Sequence, residues 1–545
     1  MLISNIIVLI SFIVYVNSTP VVNQSFQLSL IHLNDFHDRF EETSPTSGTC
    51  KDDNCIGGFS RVYAATKQLI KERPNPIVLN AGDNFQGTIW FSVYGWNVTQ
   101  YFFNKLPTDA FTLGNHEFDR GVKEVSRYIT AMKAPHVVAN IDDSEEPDIQ
   151  GLYNKSIVIE KYGKRIGIIG VISQRTNELS STGKLRFLDE SESVNMEAER
   201  LAVEECVDTI IVLSHCGYHA DQVIAQNAAP KIGVIVGGHS HTFLYTEQPL
   251  PGPEKPRGPY PTVINHKDGR KILVVQASGN SKYLGNITVN YNKNGDVISW
   301  SGAPIYLNRS IPQDHHINHK IELWKHGLDD KVKKVLGYTN VVLQRFNCYY
   351  EECNLGNLLA DAMVYSYLHT DEEDAWSYAA IAITNSGGIR VSIPKGKITY
   401  NDIALAVPFL NTFDVMEIQG KYLRQLLEYA AGHHNNTSSF KINLMQVSGL
   451  RIVYNTTKPI GSRIISLKAR CRVCPVPLYQ NVEMKDYYRI VVNSFIAGGG
   501  DGHTVLVNNA RKIKVGEVDI DALVKYIEKH SPIIQELQNR ITVLK

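Results

Sequence analysis

The stretch LGNHEFDRG, residues 113–121, places an amide, an imidazole and two carboxyl groups within five positions. It continues the apolar run of residues 110–113, which is typical of a short buried strand. Such a cluster can be an ordinary polar loop at a strand end, or it can hold a metal ion and take part in catalysis. The rest of the chain helps to decide between these two interpretations, because other apolar runs also end in side chains that can bind metals.

Four further apolar runs end in side chains that can bind metals. They are FQLSLIHLNDFHD, which ends in Asp35 and His37; NPIVLNAGDNFQG, which brings Asp83; VDTIIVLSHCGYH, which brings His215; and KIGVIVGGHSHTF, which brings His239 and His241. Continuous β-branched runs are typical of strands buried on both faces. Open α/β sheets bind ligands just beyond the carboxyl ends of their strands. We therefore expect these side chains to converge.

The residue types indicate a divalent-metal centre. Taken singly, a His or an Asp after a strand is usually a loop residue, but five strand ends that carry only Asp, His and Asn argue for a shared site. Carboxylates and imidazoles without thiolates suit Zn²⁺, Mn²⁺ or a similar ion. With Asn115, the seven candidate ligands exceed one tetrahedral site and suit two ions. Glycines 82, 114, 237 and 238 allow close backbone approach.

These strings resemble the motifs of a known family. DxH, GD, GNHE, a later His and a terminal GHxH are similar to calcineurin-type metallophosphoesterase motifs. The longer strings LNDFHDRFEETS, NAGDNFQGTIWF, TLGNHEFDRG, GGHSHTFLY, NSGGIR and IAGGGDG resemble the 5′-nucleotidase/apyrase family, including its secreted salivary apyrases, from about residue 26 to the C-terminus. The resemblance implies an α/β protein: a metallophosphoesterase β-sandwich flanked by helices (25–312), a connector helix (313–337) and an α+β nucleotide-binding domain (338–545).

The resemblance also implies roles. One metal ion would be held by Asp35, His37, Asp83 and His241, and the other by Asp83, Asn115, His215 and His239, with Asp83 bridging. Zinc is the first choice of metal, with Mg²⁺, Mn²⁺ or Ca²⁺ as alternatives. His116 corresponds to the catalytic donor to the phosphoryl group, Asp119 orients it, and a water activated by the two metals is the nucleophile. Family members often carry an amide in place of His241.

The C-terminal half should bind the nucleotide. In NSGGIR, Asn385 and Arg390 flank glycines that let the backbone approach an anion. By resemblance, Phe409 and Phe495 clamp the base and Asp501 accepts hydrogen bonds from the ribose hydroxyls. Without the resemblance, both phenylalanines would be interpreted as core residues.

One departure from the family bears on substrate preference. Family 5′-nucleotidases commonly have an Arg where this chain has Tyr349, and the segment after Arg390 offers only Lys395 and Lys397. Arg345 lies nearby and is a candidate to compensate. The loss of one guanidinium should weaken the binding of AMP most, because AMP has few anionic oxygens. We therefore expect ATP and ADP to be hydrolysed well and AMP poorly, and Tyr349→Arg to improve AMP turnover.

Several features predict export. Residues 3–16 are an almost purely apolar run, which indicates a signal peptide over residues 1–18. The C-terminus lacks the apolar tail of a GPI signal, so we expect no membrane anchor. Asn-x-Ser/Thr triplets, which glycosylation requires, begin at Asn23, Asn97, Asn154, Asn286, Asn308, Asn435, Asn436 and Asn455.

The eight cysteines agree with export. Three close pairs, Cys50 with Cys55, Cys348 with Cys353 and Cys471 with Cys474, suit short disulfide loops, and a lone CxxC favours a disulfide over zinc. Cys206 and Cys216 flank a strand-like run that holds them too far apart to pair. We expect both to be buried thiols.

Charge and composition narrow the function. Lys+Arg and Asp+Glu balance at 55 each, so no net field recruits nucleic acid or an acidic membrane. The leading hypothesis is a secreted apyrase that hydrolyses ATP and ADP and thereby lowers ADP-driven platelet aggregation. The first alternative is a secreted 5′-nucleotidase that converts AMP to adenosine. The second is a non-catalytic platelet-receptor antagonist on the same scaffold, against which the intact ligand set and the lack of an RGD tripeptide argue.

Overall fold

The fold is taken from a computed structural model that describes residues 25–545 except 46, 49, 51–52, 329–332, 370–371, 373 and 433–442. The predicted signal peptide and the triplets at Asn23, Asn435 and Asn436 lie outside the described residues. Within the described ranges, no helix combines the length and the apolar character needed to cross a membrane.

The N-terminal unit is built from two sheets and the helices around them. Its strands are β1 Phe26–Leu33, β2 Pro76–Asn80, β3 Ala110–Phe111, β4 Ile141–Asp142, β5 Ser156–Lys161, β6 Lys164–Ile172, β7 Arg186–Phe187, β8 Thr209–His215, β9 Ile232–Val236, β10 Thr262–Asn265, β11 Lys271–Val275, β12 Tyr283–Tyr291, β13 Val297–Ser301 and β14 Ile305–Tyr306. Its helices are α1 Phe59–Glu72, α2 Ile89–Tyr94, α3 Trp96–Phe103, α4 Val122–Ala131, α5 Thr176–Leu179, α6 Glu190–Val203, α7 Tyr218–Gln226 and α8 His315–Lys325, with a 3₁₀ helix at Asn115–Phe118.

The two sheets form the predicted sandwich. One has the order β13-β12-β1-β2-β3, with β14 beside β12, and the other has the order β10-β11-β9-β8-β6-β5. Fully buried side chains of both, such as Leu30 and Ile77 facing Ile211 and Val234, share one apolar cluster. Strands β1, β2 and β3 are parallel, as are β6, β8, β9 and β11. Their carboxyl ends therefore lie at common edges, where the predicted site residues follow.

The C-terminal unit mixes helices and strands, as expected for an α+β domain. Its strands are β15 Val335–Thr339, β16 Ile381–Asn385, β17 Gly396–Thr399, β18 Phe413–Gln419, β19 Met445–Ser448, β20 Leu450–Asn455, β21 Ile464–Arg470, β22 Tyr479–Asn481, β23 Tyr487–Asn493, β24 Arg511–Lys514 and β25 Ile541–Leu544. Its helices are α9 Asn354–Tyr365, α10 Tyr400–Ala406, α11 Gly420–Ala431, α12 Ser494–Ala497, α13 Thr504–Asn509 and α14 Asp519–His530, with 3₁₀ turns at Ser386–Gly388 and Gly500–Gly502. A sheet of order β19-β16-β23-β18-β24 lies at its centre.

The predicted connector helix is shorter than expected. Helix α8 begins after Asp314, whose side chain accepts a hydrogen bond from the backbone N–H of Ile317 (3.0 Å), and it ends at Lys325. Residues 335–337, assigned to the helix from the sequence, belong instead to β15, which pairs with β17. The predicted C-terminal end of the connector helix was wrong, because the residues of VLGYT pair with β17, a strand that lies far along the chain.

The cysteine pattern is largely as predicted. Disulfides join Cys50 to Cys55, Cys348 to Cys353 and Cys471 to Cys474, and Cys206 and Cys216 are free. Cys216 is buried, but the prediction that Cys206 is buried is wrong, because it is exposed. Cys206 lies in the turn between α6 and β8 with a φ of 50°, outside the apolar strand that suggested its burial.

One glycosylation triplet lies inside a sheet. Asn286 is in β12, opposite Ile31 of β1, and only 4% of it is exposed. Its side-chain oxygen accepts a hydrogen bond from Arg73 Nε at 3.1 Å. In the folded protein this amide is therefore inaccessible to a glycan.

Candidate metal centre and nucleotide site

The strand ends bring the seven predicted metal ligands together. Asp35 and His37 follow β1, Asp83 follows β2, Asn115 opens the 3₁₀ helix after β3, His215 ends β8, and His239 and His241 follow β9. Six of them fall into two sets, one of Asp35, His37 and His241 and the other of Asp83, His215 and His239, and within each set the candidate ligand atoms lie within 4.8 Å of one another. Asn115 joins the second set, with its Oδ1 at 2.9 Å from Nδ1 of His239.

Asp83 lies between the two sets. Its Oδ2 is 3.0 Å from Nε2 of His215 and 3.9 Å from Nε2 of His37. Asp35 touches both sets more loosely, with Oδ1 at 3.5 Å from Nε2 of His241 and 4.0 Å from Nε2 of His215. Asp83 thus occupies the position that a bridging carboxylate requires.

The imidazoles are oriented as metal ligands would be. The Nδ1 of His37 lies 3.0 Å and 2.9 Å from the carbonyl oxygens of Phe85 and Gln86, and that of His215 lies 2.6 Å from the carbonyl oxygen of Ala81. Donation of Nδ1–H to a carbonyl leaves Nε2 with its lone pair toward the site, as in ligating histidines generally. The Nε2 atoms of His37 and His241 are 2.9 Å apart, as two nitrogens bound to one ion would be. The donor set fits two divalent ions.

Burial keeps several of these imidazoles neutral. It lowers the pKa of His239 to about 3 and holds the pKa of His37 and His241 well below the ordinary value. Neutral imidazole is the form that binds metal ions. These three imidazoles therefore present lone pairs at neutral pH. Burial opposes protonation of His215 as well, but the neighbouring charge of Asp83 raises the pKa of His215 to about 10.

The backbone at the ligands adopts an uncommon conformation. Five of the seven have left-handed φ angles: Asp35 (51°), His37 (53°), Asp83 (53°), His239 (71°) and His241 (48°). Such angles are uncommon outside glycine, and they cluster at functional sites, where the surrounding structure maintains them. Gly114 must also be small, since a Cβ there would lie 2.2 Å from Oδ1 of Asp83.

Glu117 organises the loops that carry these ligands, a role not assigned from the sequence. Its buried carboxylate accepts hydrogen bonds from four backbone N–H groups, those of Gly114 (2.6 Å), Asn84 (2.7 Å), Asp83 (3.0 Å) and Phe85 (3.2 Å). The loops after β2 and β3 are thereby tied to one side chain. The signal was present, because Glu117 lies inside the GNHEFD motif.

The predicted dyad is assembled beside Asp83. His116 Nδ1 lies 2.7 Å from Oδ2 of Asp119, whose Oδ1 accepts a hydrogen bond from Ser180 Oγ at 2.9 Å. The backbone N–H of His116 donates to Oδ1 of Asp83 at 2.9 Å. Burial opposes protonation of the ring, but the charges of Asp119 and Asp83 raise the pKa of His116 overall. The arrangement favours an imidazole able to donate a proton or hydrogen bond from Nε2.

Two predicted residues of the C-terminal unit reach the dyad. The ring of Phe409 stacks against that of His116, with centroids 5.6 Å apart. The guanidinium carbon of Arg390 lies 5.6 Å from the centroid of Phe409. The structure thus places an aromatic ring of one unit against the candidate catalytic group of the other, with a cation next to that ring.

The other predicted substrate contacts form a second group. Asn385 Nδ2 donates to Oδ2 of Asp501 at 2.8 Å, and Asn385 Oδ1 accepts from Nδ2 of Asn493 at 2.9 Å. The amide of Asn385 is therefore committed to positioning Asp501. Phe495 packs on the core of the C-terminal unit, and its ring lies so close to Gly500 that a Cβ there would come within 2.6 Å of it.

Arg39 is a further site residue that received no role from the sequence. It is 3% exposed, and Nε donates to Oδ1 of Asn280 at 3.3 Å, while Nη1 is buried without a hydrogen-bond partner. Burial, with the nearby charge of Arg390, lowers the pKa of Arg39 to about 9. Its position two residues after His37 was the available signal.

Comparison with known proteins agrees with this geometry. The family model of calcineurin-like phosphoesterases matches residues 28–243, and that of the 5′-nucleotidase C-terminal domain matches residues 335–508. The chain is 43% identical to an apyrase of Tabanus yao over 97% of both chains. It is 41% identical to a 5′-nucleotidase-related protein of Glossina morsitans morsitans over 95% of both.

A solved structure carries the same architecture. The crystal structure of a 5′-nucleotidase precursor from Thermus thermophilus superposes with a TM-score of 0.86 at 34% identity, covering 95% of this chain and 99% of that one. The phosphoesterase match and the two ligand sets together imply divalent metal ions. The chain therefore belongs to the 5′-nucleotidase/apyrase family and is a nucleotide phosphohydrolase.

Proposed function

We propose that the protein is a secreted apyrase that removes terminal phosphates from extracellular ATP and ADP. The observation that carries this proposal is the position of His116, which lies beside the candidate ligand Asp83 and against the ring of Phe409, next to which Arg390 lies. A terminal phosphate at the metal sets would meet the dyad, and the rest of the nucleotide would extend toward the C-terminal unit. The similarity to the Tabanus yao apyrase supports this choice.

The chain's own residues would act as follows. Two divalent ions, zinc first, would supply an activated water and neutralise charge on the phosphoryl group. They would be held by Asp35, His37, Asp83, Asn115, His215, His239 and His241. His116, oriented by Asp119, would donate to the phosphoryl oxygens as negative charge develops. Arg390 would hold the phosphates, with Asn385 positioning Asp501 for the ribose, while Phe409 and Phe495 would contact the base.

The domain division follows from the same proposal. Residues 25–312 would form the metal-binding domain and residues 338–545 the substrate-binding domain, joined by the segment that contains α8. The three disulfides are typical of an oxidising compartment and support export. Released into blood, such an enzyme would lower ADP-driven platelet aggregation.

Phosphate release from ATP, ADP and AMP, compared with Zn²⁺, Mg²⁺ and Ca²⁺, tests the proposal. We expect high kcat/KM for ATP and ADP, low kcat/KM for AMP, and improved AMP turnover in Tyr349→Arg. Comparable kcat/KM for AMP and ADP would favour the 5′-nucleotidase alternative, to which Arg345 beside Arg390 lends support. If no nucleotide released phosphate with any metal, the non-catalytic receptor antagonist would replace both.

A further inference from the structure

The short helix α5 contacts two different parts of the candidate site, one at each end. It spans Thr176–Leu179 and follows β6, whose last residue pairs with His215 of β8. Arg175 directly precedes the helix and Ser180 directly follows it. Neither residue received a role from the sequence. The contacts of these two side chains give the helix a function of its own.

The start of α5 is fixed to the sheet that carries His215. The backbone N–H of Ser173 donates to the carbonyl oxygen of His215 at 3.1 Å. The carbonyl oxygen of Ser173 accepts hydrogen bonds from the N–H and the Oγ1 of Thr176, at 3.1 Å and 2.7 Å, and Thr176 is fully buried. The N–H of Ser180 donates to the carbonyl oxygen of Thr176 at 3.0 Å. Because a single turn joins the two ends of α5, a displacement of one end is passed to the other.

The C-terminal end of α5 contacts the dyad. Oγ of Ser180 donates to Oδ1 of Asp119 at 2.9 Å, and Oδ2 of the same carboxylate lies 2.7 Å from Nδ1 of His116. The two oxygens of Asp119 therefore serve two different partners. A side chain holds a precise orientation when neighbouring hydrogen bonds fix its rotamer. Ser180 thus fixes the carboxylate that orients the imidazole.

The N-terminal end of α5 contacts the C-terminal unit. The helix packs against the 3₁₀ turn Gly500–Gly502. A Cβ on Gly502 would lie 3.7 Å from Nη2 of Arg175 and 2.2 Å from the hydroxyl oxygen of Tyr429. The guanidinium of Arg175 therefore lies against the backbone of the turn that carries Asp501, the candidate acceptor for the ribose hydroxyls.

We propose that α5 couples the nucleoside site to the dyad, with Ser180 positioning Asp119 and Arg175 holding α5 against the Gly500–Gly502 turn. A nucleoside bound at Asp501 would restrain the turn, and the turn would restrain α5 and the carboxylate of Asp119. The proposal rests on the proposed function, which assigns Asp501 to the ribose and the dyad to catalysis. It adds that the nucleoside raises kcat, because binding energy from a remote part of the substrate orients the reacting groups.

Variants at the two ends of α5 test this coupling. Ser180→Ala removes the donor to Asp119, Ser180→Thr keeps a hydroxyl, and Arg175→Gln removes the guanidinium. The double variant closes a mutant cycle. Matched controls are Ser181→Ala, at the exposed neighbouring serine, and Arg127→Gln, at an exposed arginine of α4. The readouts are kcat and KM, measured separately for ADP and for tripolyphosphate, which has no nucleoside, together with the metal content of each variant.

We expect Ser180→Ala to lower kcat about 3- to 30-fold for both substrates, with KM changed by less than about twofold. Ser180→Thr should restore most of the loss. Arg175→Gln should lower kcat for ADP about 3- to 10-fold and leave kcat for tripolyphosphate within about twofold. In the Ser180→Ala background, Arg175→Gln should have little further effect, because the two residues act along one path. Metal content and both controls should match the unaltered protein.

Three kinetic results would overturn the proposal. The first is an equal loss of kcat for ADP and tripolyphosphate in Arg175→Gln, which would mean that Arg175 acts without the nucleoside. The second is a loss confined to KM in either single variant. The third is full additivity in the mutant cycle, which would show that the two ends of α5 act independently.

Hydrogen exchange tests the coupling without hydrolysis and separates it from the proposed function. Adenosine, whose binding is followed by calorimetry, should slow exchange of residues 173–180 in the unaltered protein but not in Arg175→Gln. Adenosine binding without this protection would reject the coupling and leave the proposed function standing. Protection in a protein that hydrolysed no nucleotide would support the coupling while the proposed function failed. If adenosine did not bind, the nucleoside site and the coupling would both be rejected.

Discussion

The imidazole of His116 and the ring of Phe409 are stacked, with centroids 5.6 Å apart and planes inclined by 26°. His116 belongs to the N-terminal unit and Phe409 to the C-terminal unit. One face of the candidate catalytic imidazole is therefore covered by a side chain of the other unit. A substrate group that reaches His116 must therefore lie next to the ring of Phe409. The candidate residues for substrate binding and for catalysis are thus in direct contact.

Shortening Phe409 should separate base recognition from catalysis. If the ring stacks on the base, Phe409→Leu should raise KM for ADP by about 5- to 150-fold, since base–aromatic stacking contributes ~1–3 kcal/mol. Hydrolysis of tripolyphosphate, which has no base, should be unchanged. Steady-state kinetics with both substrates provides the measurement, and Tyr162→Leu, at an exposed tyrosine, is the control. Equal losses for the two substrates would show that Phe409 acts only by positioning His116.

Removing the candidate donor should slow the reaction without releasing metal. His116→Ala should lower kcat by ~10²–10⁴, the usual scale for a lost catalytic donor or acid. Metal content should stay unchanged, because the ring of His116 lies outside both ligand sets. Phosphate-release kinetics and elemental analysis give the two readouts, with His219→Ala on the exposed face of α7 as control. A variant that kept most of its activity would refute the dyad.

Asp83→Asn should disturb both metal positions, because this carboxylate lies between the two ligand sets. We expect fewer bound ions per chain and loss of activity, and we expect chelation of the unaltered protein to abolish activity until metal is restored. Elemental analysis of dialysed protein provides the measurement. Asp53→Asn, at a fully exposed aspartate, is the control. Full metal content in Asp83→Asn would rule out the bridging assignment.

Glu117→Gln should destabilise the loops after β2 and β3, which carry candidate metal ligands. The amide keeps one acceptor oxygen and turns an NH₂ group toward backbone donors, so some of the four N–H groups lose their partner. Leaving buried donors unsatisfied costs about 1–3 kcal/mol each. We expect a lower Tm and weaker metal binding by calorimetry, with Glu160→Gln, at an exposed glutamate, as control. A Tm equal to that of the unaltered protein would show that Glu117 is dispensable.

Glu372, which lies away from the site, should stabilise the folded protein in a pH-dependent way. It accepts hydrogen bonds from Arg489 and Arg472, which lower the pKa of its carboxyl to about 2. An unfolded Glu titrates at about 4.3, so the stabilisation is complete above that pH and is lost as pH falls toward about 2. The pair is partly exposed, so Glu372→Gln should cost no more than ~1 kcal/mol near neutral pH. The Tm difference should shrink at about pH 3; an equal difference at both pH values would contradict this.

The metal centre could be predicted because its ligands follow strands whose apolar runs are visible locally. Parallel pairing places Asp35 and Asp83 at the carboxyl edge of one sheet and His215 and His239 at that of the other, and the packing of the two sheets brings these edges together. No role was predicted for Glu117 or Arg39, because a buried charged residue looks the same in the sequence as an exposed one. Only the tertiary contacts show which groups such a residue binds. The end of the connector helix was wrong for a related reason, since pairing with β17 decides the structure of residues 335–337.

The position of Asn286 sets a condition on making the protein. In any cell that glycosylates nascent chains, the triplet at Asn286 is an acceptor until β12 joins β1, and afterwards the nitrogen is enclosed by the sheet. A sugar added first would prevent that pairing, so chains modified there would not reach this fold. Glycosylation of Asn286 and the pairing of β12 with β1 therefore exclude each other. If the chain is exported through a compartment that glycosylates it, the yield of folded protein would depend on how quickly β12 is enclosed.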